Sequence, residues 1–160
     1  ETAMLPLVIA GMQSDTPNLR REVSRLRLEG RVYWLGEVAE TDMAALYTGA
    51  RALLFPSLDE GFGLPMLEAM ACGTPVICSA IPTFREVGGE AAVAVHPLDP
   101  VEWRKAAYLM IAAQEWHGEA RARSLAHAAA FTWKRAAAET LAVYRDCLAR
   151  TDGKRRRKGK

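Results

Sequence analysis

The chain has 160 residues, of which 50% are hydrophobic and 25% are charged. This composition is typical of a globular domain with a sizeable core, and no apolar run approaches the ~18 residues of a membrane span, so no transmembrane helix is predicted. The formal net charge is +2 at pH 7, but six of the 21 basic residues fall within positions 154–160. The remaining body is mildly acidic, which argues against specific nucleic-acid binding by the fold.

The three cysteines, Cys72, Cys78 and Cys147, lack the CxxC spacing of a zinc site and are odd in number. They favour reduced thiols in a cytoplasmic protein, and we expect no bound metal. The first residue is Glu1 rather than Met, and no basic and apolar leader opens the chain. We therefore expect the chain to start inside something longer, as a processed form, an expressed piece or a fragment of a longer gene.

Short apolar runs alternate with amphipathic segments over the first 95 residues. Predicted strands cover residues 5–10, 32–35, 52–55, 76–78 and 91–95. Predicted helices cover residues 18–28, 42–49, 64–72 and 82–87, with Gly30 expected to end the first and Thr41 to cap the second. The alternation predicts an α/β fold with a doubly wound parallel sheet, in which ligands bind at the carboxyl ends of the strands.

The pattern becomes helical after Asp99. Helices are predicted from Asp99 to about residue 113, over residues 119–130, and from Thr132 onward. Apolar residues of the last helix recur at about one per helical turn and are predicted to pack into the core: Trp133, Ala137, Leu141, Tyr144 and Leu148. The composition from Thr151 onward predicts a disordered basic tail.

The segment best suited to chemistry is a glycine-rich turn between a predicted strand and a predicted helix. Gly61 and Gly63 remove side chains where backbone N–H groups would approach a ligand, and Pro65 suits the first helical turn. Exposed N–H groups and the helix dipole favour an anion there, such as a diphosphate. Glu68, one turn into the helix, is placed to accept hydrogen bonds from vicinal hydroxyls, as acidic residues do for nucleotide riboses. Glu60 lies in the loop before the helix, nearer the end of the ligand that would react.

The spacing of this segment leaves two interpretations open. Glycines beside acidic residues arise often by chance, so the segment is also explained as a turn that leads into a core helix. It is not a Walker A loop, because no Gly-Lys-Ser/Thr follows, and it lacks the glycine pattern of dinucleotide-binding turns.

Residues 60–79, EGFGLPMLEAMACGTPVICS, closely resemble the E-x7-E signature of retaining GT-B glycosyltransferases, in particular family 4, the glycosyl transferases group 1. The flanking segments that resemble the same family are residues 32–38, 52–57, 82–89 and 131–133 with Tyr144. The resemblance extends over about residues 5–148. It implies a partial, Rossmann-like GT-B C-terminal domain with C-terminal helices over residues 1–150, followed by a basic tail over residues 151–160.

The resemblance also implies a role for each residue of the motif. Glu60 would contact the donor sugar near the reacting carbon as the catalytic residue, and Glu68 would hold the ribose hydroxyls. The further donor-binding residues that it implies are Gly61, Phe62, Gly63 and Leu64 at the diphosphate or sugar, and Gly36 and Val38 at the base pocket.

The implied activity is transfer of a hexosyl group, with mannosyl as the narrower expectation, from a nucleotide-diphosphate sugar to a glycan or lipid-linked acceptor. Configuration would be retained, the donor would be GDP-mannose or a UDP-sugar, and no cofactor or metal is expected. The product would be a surface polysaccharide. We expect a cytoplasmic enzyme, with peripheral contact of its basic tail at the inner face of the membrane.

Several parts of the family's enzyme are expected to lie outside this chain. They are the N-terminal acceptor domain, the first strand and helix of the donor domain, and an Arg and a Lys that clamp the donor phosphates upstream of the position matching Leu5. We therefore expect the fragment to bind nucleotide weakly and not to turn over by itself.

Three alternatives stay open at the level of sequence. The first is another GT-B enzyme, such as a glycogen-synthase-like transferase or a sugar-nucleotide epimerase. The second is a non-catalytic nucleotide-sugar-binding module. The third is a nucleic-acid-binding protein that uses its basic tail.

Overall fold

Strands and helices alternate along the first part of the chain and give way to helices alone. The structure is a computed structural model that describes residues 5–11 and 15–158. Its strands are β1 (Leu7–Ala10), β2 (Val32–Gly36), β3 (Leu53–Phe55), β4 (Val76–Ser79) and β5 (Val93–Val95). Its helices are α1 (Pro17–Arg25), α2 (Glu40–Gly49), α3 (Leu64–Ala71), α4 (Pro82–Gly88), α5 (Pro100–Ala112), α6 (Gln114–Ala128) and α7 (Trp133–Lys158).

The strands form two parallel sheets, one with β1 beside β2 and one with β4 between β3 and β5. In the common doubly wound order, the first strand is central, the second and third extend to one side, and the remaining strands extend to the other. The β2–β1 and β3–β4–β5 sheets have the order of those two sides, and no described residue forms a central strand. The α/β fold with parallel strands and C-terminal helices is confirmed, but its sheet is divided in two.

The apolar strand β1 has little cover. Leu7 is 44% exposed and Val8 is 41% exposed, although successive side chains of a strand point to opposite faces. Parallel strands are normally buried on both faces. Since β1 pairs with β2 alone among the described residues, the small sheet leaves open an apolar surface that a continuous doubly wound sheet would bury.

The core lies on both faces of β4, whose residues are all buried. One face packs against α3 and α4 through a cluster that includes Val76, Cys78, Met66, Met70 and Phe84. The opposite face packs against α5 and α6 through Ile77, Val95, Ala106, Met110 and Ala120. Burial of this strand therefore fixes the helices that follow β3 and β4, and the loops before those helices with them.

The end of α1 differs from the prediction that Gly30 caps it. The Arg27 N–H donates to the Ser24 carbonyl and the Leu28 N–H donates to the Val23 carbonyl, both at 3.0 Å. These two bonds form a Schellman motif, in which Arg27 takes the left-handed conformation (φ 54°) that glycine usually supplies. Gly30 also has a positive φ of 77°, but it lies in the turn beyond the helix.

The start of α2 also differs from the prediction, which made Thr41 its cap. The helix begins at Glu40 and its N-cap is Ala39, which has no side-chain hydrogen-bond acceptor to offer. Glu40 and Asp42 lie in the first turn, where their negative charges complement the helix dipole. Thr41 is thus inside the helix rather than before it.

The starts predicted for the first and last of the C-terminal helices, at Asp99 and Thr132, are confirmed, and both residues cap their helices. The Asp99 carboxylate accepts from the Val101 N–H at 2.8 Å, and Thr132 Oγ1 accepts from the Arg135 N–H at 3.1 Å. The helix expected to begin at Glu119 begins earlier, at Gln114. No helix among the residues that the structure describes combines the length and hydropathy needed to cross a bilayer.

The prediction that the apolar residues recurring along α7 pack into the core is wrong. Trp133 is 82% exposed and Tyr144 is 63% exposed, and Leu141 and Leu148 are exposed as well. The period of a helix reports which residues share a face, but it does not report what covers that face. The backbone of α7 also continues through Lys158, whereas the composition predicted a disordered tail from Thr151 onward. Residues 159–160 lie outside the described residues.

Met70 provides a test of the core assignment. Its side chain is fully buried in the cluster of α3, α4 and β4, so Met70→Ala should lower the free energy of unfolding by about 2–5 kcal/mol. The measurement is urea denaturation followed by circular dichroism. Leu98 is 74% exposed, so Leu98→Ala should change that free energy by less than about 0.5 kcal/mol, and equal losses for the two variants would contradict the assignment.

Candidate functional site

The glycine-rich segment forms an open loop between β3 and α3. β3 ends at Phe55, and α3 begins at Leu64 with Pro65 in its first turn. Gly61, Phe62 and Leu64 are exposed. The first N–H groups of a helix have no partner within the helix, so this turn presents backbone donors at the carboxyl end of a parallel strand.

Gly63, the N-cap of α3, is held in a conformation and a space that suit glycine alone. Its φ is 91°, in the left-handed region that other residues rarely adopt. A Cβ at this position would lie 2.9 Å from Cε1 of Phe84, a buried ring of α4. Phe84 in turn lies beside Phe55 at the end of β3, with 4.8 Å between ring centroids. The turn is therefore built against the core, as the structural interpretation of the glycines predicted.

Two hydroxyl groups hold Glu60. Ser57 Oγ donates to Glu60 Oε1 at 2.8 Å, and Thr83 Oγ1 donates to the Glu60 backbone carbonyl at 2.9 Å. Ser57 belongs to the same loop, whereas Thr83 belongs to α4. Glu60 is half-buried between exposed neighbours, so its carboxylate is directed by these contacts rather than free in solvent.

Glu68 lies on the exposed side of α3 and is joined to α2. The Tyr47 hydroxyl donates to Glu68 Oε2 at 3.3 Å, and Thr74 Oγ1 donates to the Tyr47 backbone carbonyl. Burial of Tyr47, with a smaller contribution from the negative charge of Glu68, raises the pKa of Tyr47 to about 12. The tyrosine therefore stays protonated and serves as a hydrogen-bond donor over the physiological range.

The two residues predicted for the base pocket lie at the carboxyl end of β2, in the other sheet, and in the loop that follows it. Gly36 ends β2 with φ 63°, and its carbonyl accepts from the Gly11 N–H at 2.7 Å, which joins the carboxyl ends of β1 and β2. Val38 is half-buried just before α2. The other predicted residues, Glu60 to Leu64 and Glu68, lie on the β3–α3 segment. The helix α2 connects the two groups, because it follows Val38 and carries Tyr47.

Sequence reasoning missed the groups that hold the two carboxylates. The hydroxyl contact of Tyr47 with Glu68 joins residues 21 positions apart and leaves no local signal. The Thr83 contact with Glu60 likewise spans 23 positions. Ser57 had a local signal, since a hydroxyl three residues before a loop carboxylate is within reach of it.

Metal-binding clusters are a separate question. In the part of the chain that the structure describes, His, Cys, Asp and Glu side chains do not gather in groups of three or more that could hold a metal ion. Glu60 and Glu68 are held by different partners and on different elements.

A parallel strand, a glycine turn and a helix N-terminus are the elements with which α/β folds commonly bind phosphate groups. Residues 2–124 match the family described as glycosyl transferases group 1. Because the match covers more than half of the 160 residues, the chain belongs to this family.

Bacterial enzymes are among its relatives. The chain is 37% identical over 147 residues to O-antigen chain mannosyltransferase B of Escherichia coli. This alignment covers 91% of this chain and 39% of that protein. It is also 42% identical over 100 residues to O-antigen chain mannosyltransferase RfbU of Salmonella typhimurium. That alignment covers 62% of this chain and 28% of the relative. The chain therefore spans well under half the length of these relatives.

Solved structures share the fold. Sucrose-phosphate synthase from Thermosynechococcus elongatus aligns with a TM-score of 0.78 and 28% identity, over 91% of this chain and 39% of its own. Anabaena Alr3699/HepE in complex with UDP and glucose aligns with a TM-score of 0.77 and 24% identity, over 86% of this chain and 40% of its own. The fold is thus that of a GT-B glycosyltransferase domain, present in part.

The requirement for glycine at position 63 can be tested within the loop itself. Gly63→Ala should lower the free energy of unfolding by about 1–3 kcal/mol, because the new Cβ meets Phe84 and the left-handed backbone is strained. Gly61 has open space around its Cα and no left-handed φ, so Gly61→Ala should cost less than about 0.5 kcal/mol. Urea denaturation of the two variants measures the difference, and similar losses would contradict the packing described for Gly63.

Tyr47 should titrate at a higher pH than an unperturbed tyrosine. Its pKa is raised to about 12 by burial, so the tyrosinate absorbance at ~295 nm that is lost in Tyr47→Phe should appear near pH 12 rather than near pH ~10. Because the folded pKa lies above the unfolded one, its contribution to stability is present below pH ~10 and is lost as the pH rises toward 12. A Tyr47 transition near pH ~10 would show that the hydroxyl is not buried against Glu68.

Proposed function

We propose that this chain is the donor-binding domain of a retaining glycosyltransferase of family 4. The observation that carries the proposal is the placement of two anchored carboxylates, Glu60 and Glu68, on either side of the Gly63 turn. One carboxylate would serve the sugar of a nucleotide-sugar donor and the other its ribose, with the diphosphate between them.

The turn between the carboxylates suits the donor diphosphate. Backbone N–H groups at the start of α3, and the positive end of its dipole, favour a phosphate there. The exposed residues Gly61, Phe62 and Leu64 leave this side of the turn open for the diphosphate to approach, while Gly63 is buried against the core. We assign stabilisation of the leaving diphosphate to these dipoles and to basic side chains, without a cofactor or metal, as charge stabilisation of the oxyanion-hole type.

The two carboxylates would act on hydroxyl groups rather than on phosphates, since like charges repel. Tyr47 donates to one oxygen of Glu68, which fixes the carboxylate so that it can accept hydrogen bonds from the two ribose hydroxyls. Glu60 would contact the donor sugar beside its reacting carbon. Gly36 and Val38 would line the pocket for the base, at the carboxyl end of β2.

The proposed donor is GDP-mannose, with a UDP-sugar as the second candidate. Mannosyl transfer is supported by the two O-antigen chain mannosyltransferases among the relatives. The acceptor would be a glycan or a lipid-linked glycan of a surface polysaccharide. We place the complete enzyme in the cytoplasm, with peripheral contact at the inner face of the membrane through its basic C-terminal residues.

The remainder of the enzyme would supply what this chain does not hold. Its relatives are more than twice as long, and the divided sheet has open edges on β1 and β3 in the described part of the chain. We propose that an additional parallel strand bridges those edges, and that an N-terminal acceptor domain and phosphate-clamping basic residues complete the active site. The chain alone would then bind nucleotide without transferring sugar.

Isothermal titration calorimetry of the chain with GDP, UDP and ADP, each also as its sugar conjugate, tests ligand class and base preference together. We expect binding of a nucleoside diphosphate, with GDP preferred over UDP and ADP. Binding of DNA or RNA that is lost with residues 154–160, together with no binding of any nucleotide, would instead support the nucleic-acid alternative and contradict our proposal.

Glu68 is the residue for a direct test of the ribose contact. Glu68→Ala should weaken nucleoside diphosphate binding by about 1.5–3 kcal/mol, the value of hydrogen bonds to a charged group. Glu119→Ala is the matched control, because that exposed carboxylate lies on α6 and pairs only loosely with Arg123 at 3.5 Å. Calorimetry should show unchanged affinity for the control, and an unchanged affinity for Glu68→Ala would remove Glu68 from the ribose role.

A further inference from the structure

The hydroxyl groups around Glu60 reach it from two separate elements. Ser57 Oγ donates to the carboxylate at 2.8 Å and Thr83 Oγ1 donates to the backbone carbonyl at 2.9 Å. The loop neighbours Pro56, Leu58 and Asp59 are exposed, whereas Ser57 and Glu60 are half-buried. The loop therefore turns these two polar side chains inward while its other side chains face solvent.

An unanchored glutamate in such a loop would sample many rotamers, and a catalytic contact needs one of them. Ser57 restricts the side chain and Thr83 restricts the backbone from which that side chain projects. Neither contact uses the second carboxylate oxygen, Oε2. A carboxylate held at Oε1 presents Oε2 in a defined direction.

Thr83 can restrain the loop because its own position is fixed by the core. It lies in the first turn of α4 beside Phe84, which is buried against the Phe55 ring and the Gly63 backbone. A shift of α4 would have to move this aromatic packing. The carbonyl of Glu60 is therefore tied through Thr83 to the buried core.

We propose that Ser57 and Thr83 are positioning residues for Glu60, which hold its carboxylate toward the sugar of the donor and so govern recognition of the sugar rather than of the nucleotide. The inference rests on the proposed function, because it takes Glu60 as the sugar contact. A purely structural role would stabilise the loop and affect all ligands alike. A positioning role affects the sugar-bearing ligand selectively.

The test is the ratio of affinities for a nucleotide sugar and its nucleoside diphosphate, measured by calorimetry on the 160-residue chain. The probes are GDP-mannose with GDP, and UDP-glucose with UDP, and the ratio is taken on the pair that the unmodified chain binds more tightly. Ser57→Ala should weaken the nucleotide sugar about tenfold and leave the diphosphate within about twofold, since one hydrogen bond to a charged group is lost. Ser57→Thr keeps the hydroxyl and should restore the ratio.

Thr83→Val and Thr83→Ser provide a second pair that does not depend on the folding of the Ser57 variants. Valine keeps the shape of threonine and removes the hydroxyl donor, so it should lower the affinity for the nucleotide sugar relative to that for the nucleoside diphosphate. Serine keeps the donor and should restore the relative affinity. Thermal denaturation reports stability in parallel. A loss of stability with an unchanged ratio, or equal weakening of both ligands, would overturn the positioning role and leave the proposed function standing.

Two further outcomes concern the unmodified chain. If it binds a nucleoside diphosphate but gains nothing from the attached sugar, Glu60 makes no sugar contact and the positioning role is overturned. If it binds neither ligand of either pair, the proposed function fails and the inference fails with it.

Discussion

The contact between the Gly63 backbone and the Phe84 ring is the constraint on which the candidate site depends. It is too close to admit a Cβ, and it joins the start of α3 to the start of α4. Because Phe84 also stacks beside Phe55, the end of β3 is part of the same arrangement. Three elements are thereby fixed to one another at the carboxyl edge of the sheet. The loop between β3 and α3 is therefore anchored at both ends, so an otherwise exposed segment acquires a defined path.

The two carboxylates near that contact, Glu60 and Glu68, are held by neutral hydroxyl groups rather than by opposite charges. Ser57 and Thr83 hold Glu60, and Tyr47 holds Glu68. A hydroxyl donor directs a carboxylate while leaving its negative charge uncompensated, whereas an arginine partner would neutralise that charge and occupy both oxygens. The two carboxylates therefore remain able to accept hydrogen bonds from a ligand. The groups that hold them are themselves held in place by the core, in which Tyr47 and the aromatic ring in the first turn of α4 are buried.

The sequence predicted the strands, the glycine turn and the helix after it because those features are encoded locally. Apolar runs bounded by Gly36, Pro56 and Gly73 mark the strands and helices of the parallel fold. Local signals failed where a distant partner or a missing one decided the outcome. The apolar face of α7 that contains Trp133 proved to be exposed, because a helical period does not report what covers a face. The end of α1 is a separate, local failure, in which Arg27 took the helix-ending conformation expected of Gly30. The contacts of Thr83 with Glu60 and of Tyr47 with Glu68 were missed because their partners are distant in sequence and meet only in the folded chain.

The exposure of Phe62 and Leu64 on either side of Gly63 has a consequence for how such a domain diversifies. Phe62 is 46% exposed and Leu64 is 47% exposed, so their side chains support little of the core, whereas the backbone they share with Gly63 is fixed by packing. Substitutions at exposed positions usually change stability little. The loop thus combines a backbone that packing fixes with two side chains that the core constrains little. Selection or engineering can alter the chemistry of the rim at these two positions without rebuilding the scaffold beneath it.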